Sequence, residues 1–360
     1  MDKIIRKVLE NLEKEGFEAY LVGGYVRDHL LGVTSFDVDI ATNALPKDIK
    51  RIFNVVNDNY GSCNLKIKQY NIDITTFRKD KNYINGKPSE VEYINDLKSD
   101  LLRRDFTINA ICMDKSSHII DILNGCEDLD NFIIKSIGNA DLKLKEDPLR
   151  ILRAIRFSAL LDFKIDEDLL NSIKNNAHLV ANISKEKIKS ELDKILISNK
   201  YLKALNLFDE LNISEVINLE YNNLVYCNDL MGMYAQIKVE LSFTKEQKDT
   251  IIKIQEVLKE GSINQFTLYK YGLYICTVAA KILGVDNKKI NNIYRKLPIK
   301  SKSDIAINGN EIASILGIEP SIIIKEVQND VENALLTNKL KNKYNDIKRY
   351  IIQNKERWLS

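Results

Sequence analysis

Two periodicities divide the chain. Over roughly the first 125 residues, apolar positions alternate in short β-rich stretches, "FEAYLVGG", "FDVDIAT", "YNIDITTF" and "TINAICMD", separated by helical ones such as "PKDIKRIF" and the opening "MDKIIRKVLENLEKEG". From about residue 140 the apolar spacing becomes helical: "DPLRILRAIRFSALL", "EDLLNSIKNNAHLV", "SKEKIKSELDKILI" and almost everything after them. Strands followed by a long run of helices predict an α+β catalytic unit joined to a helical remainder.

One strand pattern carries a conflict. In "LVGGYVRDHLLGVTSFDVDIAT", Asp37 and Asp39 alternate with Val38 and Ile40. A strand here would bury the apolar pair on one face and set both carboxylates on the other. Two readings stand. The aspartates belong to a turn, accepting from nearby backbone N–H groups, or they share a cation that relieves their mutual repulsion. Mg²⁺ suits the second reading, because it takes one or two carboxylates plus substrate phosphates. A phosphate site would lie just upstream, where Gly23 and Gly24 leave the backbone N–H groups approachable and Arg27 falls in the first turn of a short helix. The order strand, Gly-Gly, helix with Arg, strand with DxD is far more specific than any of its parts.

Three further stretches carry chemistry. In "YNIDITTFR", Asp73 is polar between Ile72 and Ile74, which makes it either a third carboxylate beside the DxD strand or a solvent-facing residue. In "LLRRDFTINA", adjacent arginines point to different sides, so one of Arg103 and Arg104 would pair with Asp105 while the other meets a triphosphate; surface charge is the competing reading. In "KEDPLRILRAIRF", Asp147 followed by Pro148 is a helix start. Arg150, Arg153 and Arg156 then follow at three-residue steps, a slowly drifting basic stripe. Asp147 either only caps, or accepts from an exocyclic amine while Arg150 donates to ring acceptors, an edge that cytosine and adenine share. The later arginines would neutralise phosphates.

Composition narrows the field. The 360 residues are 44% hydrophobic and 29% charged, as in ordinary water-soluble proteins with room for two or more cores. Net charge is only +2, so nucleic-acid affinity has to come from local basic faces. The last 22 residues, from Lys339, hold such a face or a solvated terminal helix, with seven Lys and Arg against Asp346 and Glu356. Five cysteines without a CxxC pair argue against a disulfide framework or zinc site, and His29, His118 and His178 have no metal-ligand spacing. No signal sequence or apolar span is present, so a cytoplasmic protein without membrane contact is expected. The oligomeric state is left open.

In this order, "GGYVRDHLLGVTSFDVDIAT", "IDITTFR", "LLRRDFTINA", "DILNGCEDLDNFIIKSIG", "EDPLRILRAIRF" and "ISKEKIKSELDKIL" resemble the bacterial class II tRNA nucleotidyltransferases, the CCA-adding enzymes, whose head is shared with bacterial poly(A) polymerases. The resemblance implies a polymerase-β-type head of mixed sheet and helices over residues 1–139, then a helical neck (140–205), body (206–300) and tail (301–360) that hold tRNA. It implies template-independent addition of C, C and A to tRNA 3′ ends from CTP and ATP by two-metal nucleotidyl transfer. Carried over by motif, Asp37 and Asp39 bind Mg²⁺, Gly24 and Arg27 bind nucleotide, and Arg104, Asp147, Arg150, Arg153 and Arg156 contact the incoming CTP or ATP. There are departures. A loop that A-adding members write Tyr-x-Asp-Gly-Arg-x-Pro reads "YINGKP" here, with Asn85 and Lys87 substituted and one residue fewer before Pro88. CC-only enzymes generally lack that loop, so its presence favours A addition. Lys187 and Lys189 stand where arginines are common. The alternatives are a partial CC- or A-adding enzyme, a poly(A) polymerase, or a non-catalytic RNA-binding protein on the same fold.

Overall fold

The computed structural model describes residues 1–55, 57–59, 61–84 and 87–359. The chain forms two compact units, residues 1–220 with 239–242 and residues 221–238 with 243–360.

The first unit opens on α1 (Lys3–Lys14), started by Asp2, whose carboxylate accepts from the Ile4 N–H at 2.7 Å. Its positions Ile5, Val8, Leu9 and Leu12 form the buried helical stripe. Next come β1 (Ala19–Val22), α2 (Gly24–Leu30), β2 (Asp37–Thr42), α3 (Pro46–Ile52), β3 (Asn57–Asn59), β4 (Ser62–Ile67) and β5 (Tyr70–Thr76). The hairpin β6 (Arg78–Ile84) and β7 (Lys87–Tyr93) precedes α4 (Leu97–Leu102), β8 (Cys112–Met113) and β9 (Ile119–Ile120). Among the described residues the main sheet is mixed and seven-stranded, in the order β3-β4-β5-β2-β1-β8-β9, with only β2 and β5 parallel.

Register explains the alternation. Leu21 lies opposite Ile40, Val38 opposite Ile72 and Ile40 opposite Ile74, and all five side chains are buried on one face. The other face therefore carries Asp37, and Asp39 directly opposite Asp73. The aspartates of two apolar strands, β2 and β5, are thus gathered on one side of the sheet.

Two expectations change. "TINAICMD" is not a full strand: Thr107–Asn109 is a single 3-10 turn, and only Cys112–Met113 pairs. The reason is local, since Asp105 accepts from its neighbour's backbone at Phe106 and from the Asn109 side chain, which competes with a ladder. The run after residue 140 is also not wholly helical. After α5 (Gly125–Asp130), β10 (Ile133–Ile134), α6 (Ala140–Glu146) and α7 (Leu149–Leu161), the two-residue β11 (Lys164–Ile165) pairs in parallel with β10. Then α8 (Glu167–Asn176), α9 (Lys185–Leu196) and α10 (Tyr201–Glu210) follow. Asn85 and Gly86 of "YINGKP", with the Lys87 side chain, lie outside the described residues.

The second unit is mainly helical, its longer helices being Lys245–Glu260, Gln265–Ile282 and Ile322–Leu336. Its core includes Leu268, Cys276, Ile290, Ile312, Val331 and Ile347. No helix among the described residues is long and apolar enough to cross a membrane.

Candidate active site

The two glycines after β1 are not equivalent. Gly23 has φ +76°, and a Cβ built there would stand 2.7 Å from Asp39 Oδ2. Any side chain at this position would need both an unfavourable backbone and displacement of the carboxylate. A Cβ at Gly24 would meet only Arg27 Nη2, at an ordinary 3.5 Å. Gly23→Ala is therefore expected to cost about 1–3 kcal/mol of strain at the site and to lower transfer at least about tenfold. Gly24→Ala should retain most of it, and steady-state kinetics of the two variants makes the comparison.

Asp37 and Asp39 border a cavity of about 630 Å³. Asp37 accepts from Asn71 Nδ2 at 3.0 Å. Burial raises the pKa of Asp39, Asp73 and Asp37 raise it further, and Arg104 opposes them. Burial and then Asp37 raise Asp73 in the same way, and Asp73 Oδ1 is buried without a hydrogen-bond partner. Clustered, under-satisfied carboxylate oxygens are the chemistry a hard divalent cation relieves. Among the described residues no three Asp, Glu, His or Cys side chains hold an ion by themselves. The face suits an open oxygen site completed by phosphate and water. Asp73 stands beside Asp39 in the sheet and does not line the cavity.

The cavity is also rich in cations. Eight basic side chains and six carboxylates line the cavity. Arg27 donates from Nε to Asp28 Oδ1 at 2.9 Å and from Nη1 to Asn109 Oδ1 at 2.8 Å. Arg104 Nη2 donates to Asp100 Oδ2 at 3.1 Å, while its Nε is buried and unpartnered. Arg103 Nε also donates to Asp100, at 2.9 Å. This corrects the expected pairing within "RRD". Both arginines turn back one helical turn to the fully buried Asp100 of α4, and Asp105, beyond the helix end, receives Arg153 Nε at 2.8 Å.

Burial alone would raise Asp105, but the Arg153 guanidinium, with Asn109 and the Phe106 N–H, takes it down to about 2. A folded-state pKa below the unfolded one contributes stability that is present above about pH 4 and is lost as pH falls toward 2. For this group that is about 2 kcal/mol. Acid unfolding of the wild type should therefore steepen below about pH 4, and Asp105→Asn should remove that part of the slope in melts between pH 7 and pH 3.

The arginines of α7 are held, not free. Buried Arg150 donates to the carbonyls of Lys143 (2.8 Å) and Arg103 (3.0 Å). Arg156 Nε donates to Glu191 of α9. Arg153 and Arg156 are thus charge-compensated within the protein. Asp147 ends α6, its Oδ1 accepting from the Leu149 N–H at 3.2 Å. Burial raises it, while Arg150 and Lys187 oppose. Pro148, not Asp147, is the N-cap of α7, which begins one residue later than expected; Asp147, the residue before it, also lines the cavity.

The chain is similar to known proteins along most of its length. Family models match three consecutive stretches: "Poly A polymerase head domain" over 19–135, "Probable RNA and SrmB- binding site of polymerase A" over 162–224, and "tRNA nucleotidyltransferase domain 2" over 228–351. The CCA-adding enzyme of Ligilactobacillus salivarius is 34% identical, across 98% of this chain and 95% of that one. This chain belongs to the family of CCA-adding enzymes. The Staphylococcus haemolyticus member is 32% identical across 97% of each chain. The crystal structure of the Bacillus stearothermophilus CCA-adding enzyme in complex with CTP is 27% identical, with a TM-score of 0.85 over 99% of this chain and 98% of that one.

Within this family frame, the cavity brings together Gly23, Gly24, Arg27, the β2 aspartates, Arg104, Asp147 and the α7 arginines. Sequence reasoning missed Asn109, Asp100, Glu191 and Phe157. Asn109 was detectable as the i+4 partner of Asp105. Glu191 sat in an ordinary amphipathic helix, and nothing in the sequence marked it.

Proposed function

We propose that this protein adds C, C and A, without a nucleic-acid template, to the 3′ end of tRNA, using CTP and ATP. The observation that carries the reading is one cavity lined by both the Asp37–Asp39 pair and Asp147 with Arg150. Membership of the CCA-adding family supports it, as does the likeness to the CTP-complexed enzyme.

Asp37 and Asp39 would hold Mg²⁺, with Asp73 adding negative charge from the neighbouring strand. When bound, the ion supplies Lewis-acid polarisation of the reacting phosphate and charge for the leaving pyrophosphate. Gly23 gives Asp39 the room it needs, Arg27 and Arg104 hold the triphosphate, and Asp147 with Arg150 reads the base. Arg153 and Arg156, each paired with a carboxylate as Arg27 and Arg104 also are, would contact the nucleotide from α7. The compartment we assign is the cytoplasm, which suits five cysteines that are all free thiols. The head (1–139), neck (140–205), body (206–300) and tail (301–360) remain our division, and the matched head domain at 19–135 supports its first boundary.

The test is label transfer from CTP to a tRNA lacking its CCA end, with and without Mg²⁺. Incorporation that needs the ion separates the enzyme from a non-catalytic RNA binder.

A tRNA held by the helical remainder would be gripped through phosphates, so its affinity should fall steeply between 50 and 200 mM salt, by about 10³-fold for six or more contacts. A flat log Kd against log salt would contradict this.

A further inference from the structure

One aromatic ring in the cavity is surrounded by cations. Phe157 of α7 is only 8% exposed and borders the cavity. The guanidinium carbons of Arg156, Arg27 and Arg153 stand 4.1, 5.0 and 5.5 Å from its centroid. All three fall inside the roughly 6 Å over which a cation is attracted to a π face. Phe106 meets the ring edge-on, with centroids 5.9 Å apart and planes at 85°, and restricts its rotation.

Each arginine also has its own carboxylate, on a different element. Arg27 has Asp28 on α2, Arg153 has Asp105 after α4, and Arg156 has Glu191 on α9. Arg27 and Arg153 are further joined through Asn109, which accepts from Arg27 and donates to Asp105 at 3.2 Å. Arg156 stands outside that chain. The carboxylates anchor the three heads separately, and the ring is the contact they share.

We propose that Phe157 is a positioning residue for nucleotide binding: its ring seats Arg27, Arg153 and Arg156 relative to one another, so that the cationic wall is preorganised for a nucleoside triphosphate. The proposal rests on reading the cavity as the CTP and ATP site. A purely apolar filler would do the packing as well, whereas a seat for cations depends on the electron density of the ring.

That difference is testable. Phe157 is replaced by 4-fluoro-, 3,5-difluoro- and 3,4,5-trifluorophenylalanine, which weaken the π face stepwise with little change in shape. KM for CTP and for ATP, kcat and Tm are measured for each full-length protein, with Phe157→Leu as the end point. KM is expected to rise with each fluorine, reaching about tenfold at three, and to change more than kcat. A KM that stays flat for both nucleotides overturns the proposal, and so does a falling Tm with unchanged KM, which would make Phe157 a packing residue only. If the wild type itself binds neither CTP nor ATP saturably, the reading of the cavity falls, and the proposal with it.

Discussion

Asp37→Asn and Asp39→Asn should each reduce nucleotide transfer by at least ~10³-fold while leaving tRNA affinity within about twofold of wild type. Each change is isosteric, so neither the strand nor the packing of Val38 and Ile40 on the opposite face is disturbed. What disappears is one negative charge where, among the described residues, the cavity is lined by two carboxylates from a single strand. A 10³-fold loss corresponds to about 4 kcal/mol of transition-state stabilisation, within the several kcal/mol that a positioned metal supplies. Asp73→Asn should cost less, because Asp73 stands beside Asp39 in register and not on the cavity wall. Undiminished Mg²⁺-dependent turnover in either β2 variant would contradict the metal assignment.

The second large effect is on base choice. Asp147 when ionised offers only acceptors, and Arg150 only donors, which matches the amino group beside a ring nitrogen in cytosine and adenine. Uracil would oppose its carbonyl to Asp147 and its ring N–H to Arg150. Each such mismatch costs roughly 1–3 kcal/mol in an enclosed site. Asp147→Ala should therefore reduce discrimination against UTP and GTP by about 10- to 100-fold, with a smaller loss of rate than Asp37→Asn gives. Arg150→Ala should weaken CTP and ATP together, and it also removes a side-chain donor from the Arg103 carbonyl and from the Lys143 carbonyl, the latter keeping the Asp147 N–H. The measurement is kcat/KM for all four nucleotides on tRNAs cut back by one, two and three residues. Wild-type selectivity in Asp147→Ala would reduce Asp147 to a cap at the junction of α6 and α7.

The site was legible wherever a local period fixes direction. Alternation in "FDVDIAT" is enough to set Asp37 and Asp39 opposite Val38 and Ile40, because side chains in a strand change face at every residue. The same rule in "YNIDITTF" put Asp73 on a comparable face, and the parallel register of β2 and β5 brought it next to Asp39. Pairings set by tertiary contact were not legible. Arg153 finds Asp105 across 48 residues and Arg156 finds Glu191 across 35, and no spacing rule reaches so far. Adjacency in "RRD" suggested a local pair, but the end of α4 at Leu102 turns Arg103 and Arg104 back to Asp100. Nothing in the sequence singled out Phe157, which only the convergence of three arginines on its ring marks.

The most direct measurement is the length of product made on a tRNA that ends before its CCA. The tRNA is incubated with Mg²⁺ and CTP, ATP, or both, and the products are sized to one nucleotide on a denaturing gel. Two added residues with CTP alone, and three with CTP and ATP together, is the expected result. A stop after two residues with both nucleotides present would make it a CC-adding enzyme, a single residue from ATP only on a tRNA already ending in CC an A-adding one, and a long ladder from ATP alone a poly(A) polymerase. Any of these, or no extension at all, would contradict the assignment.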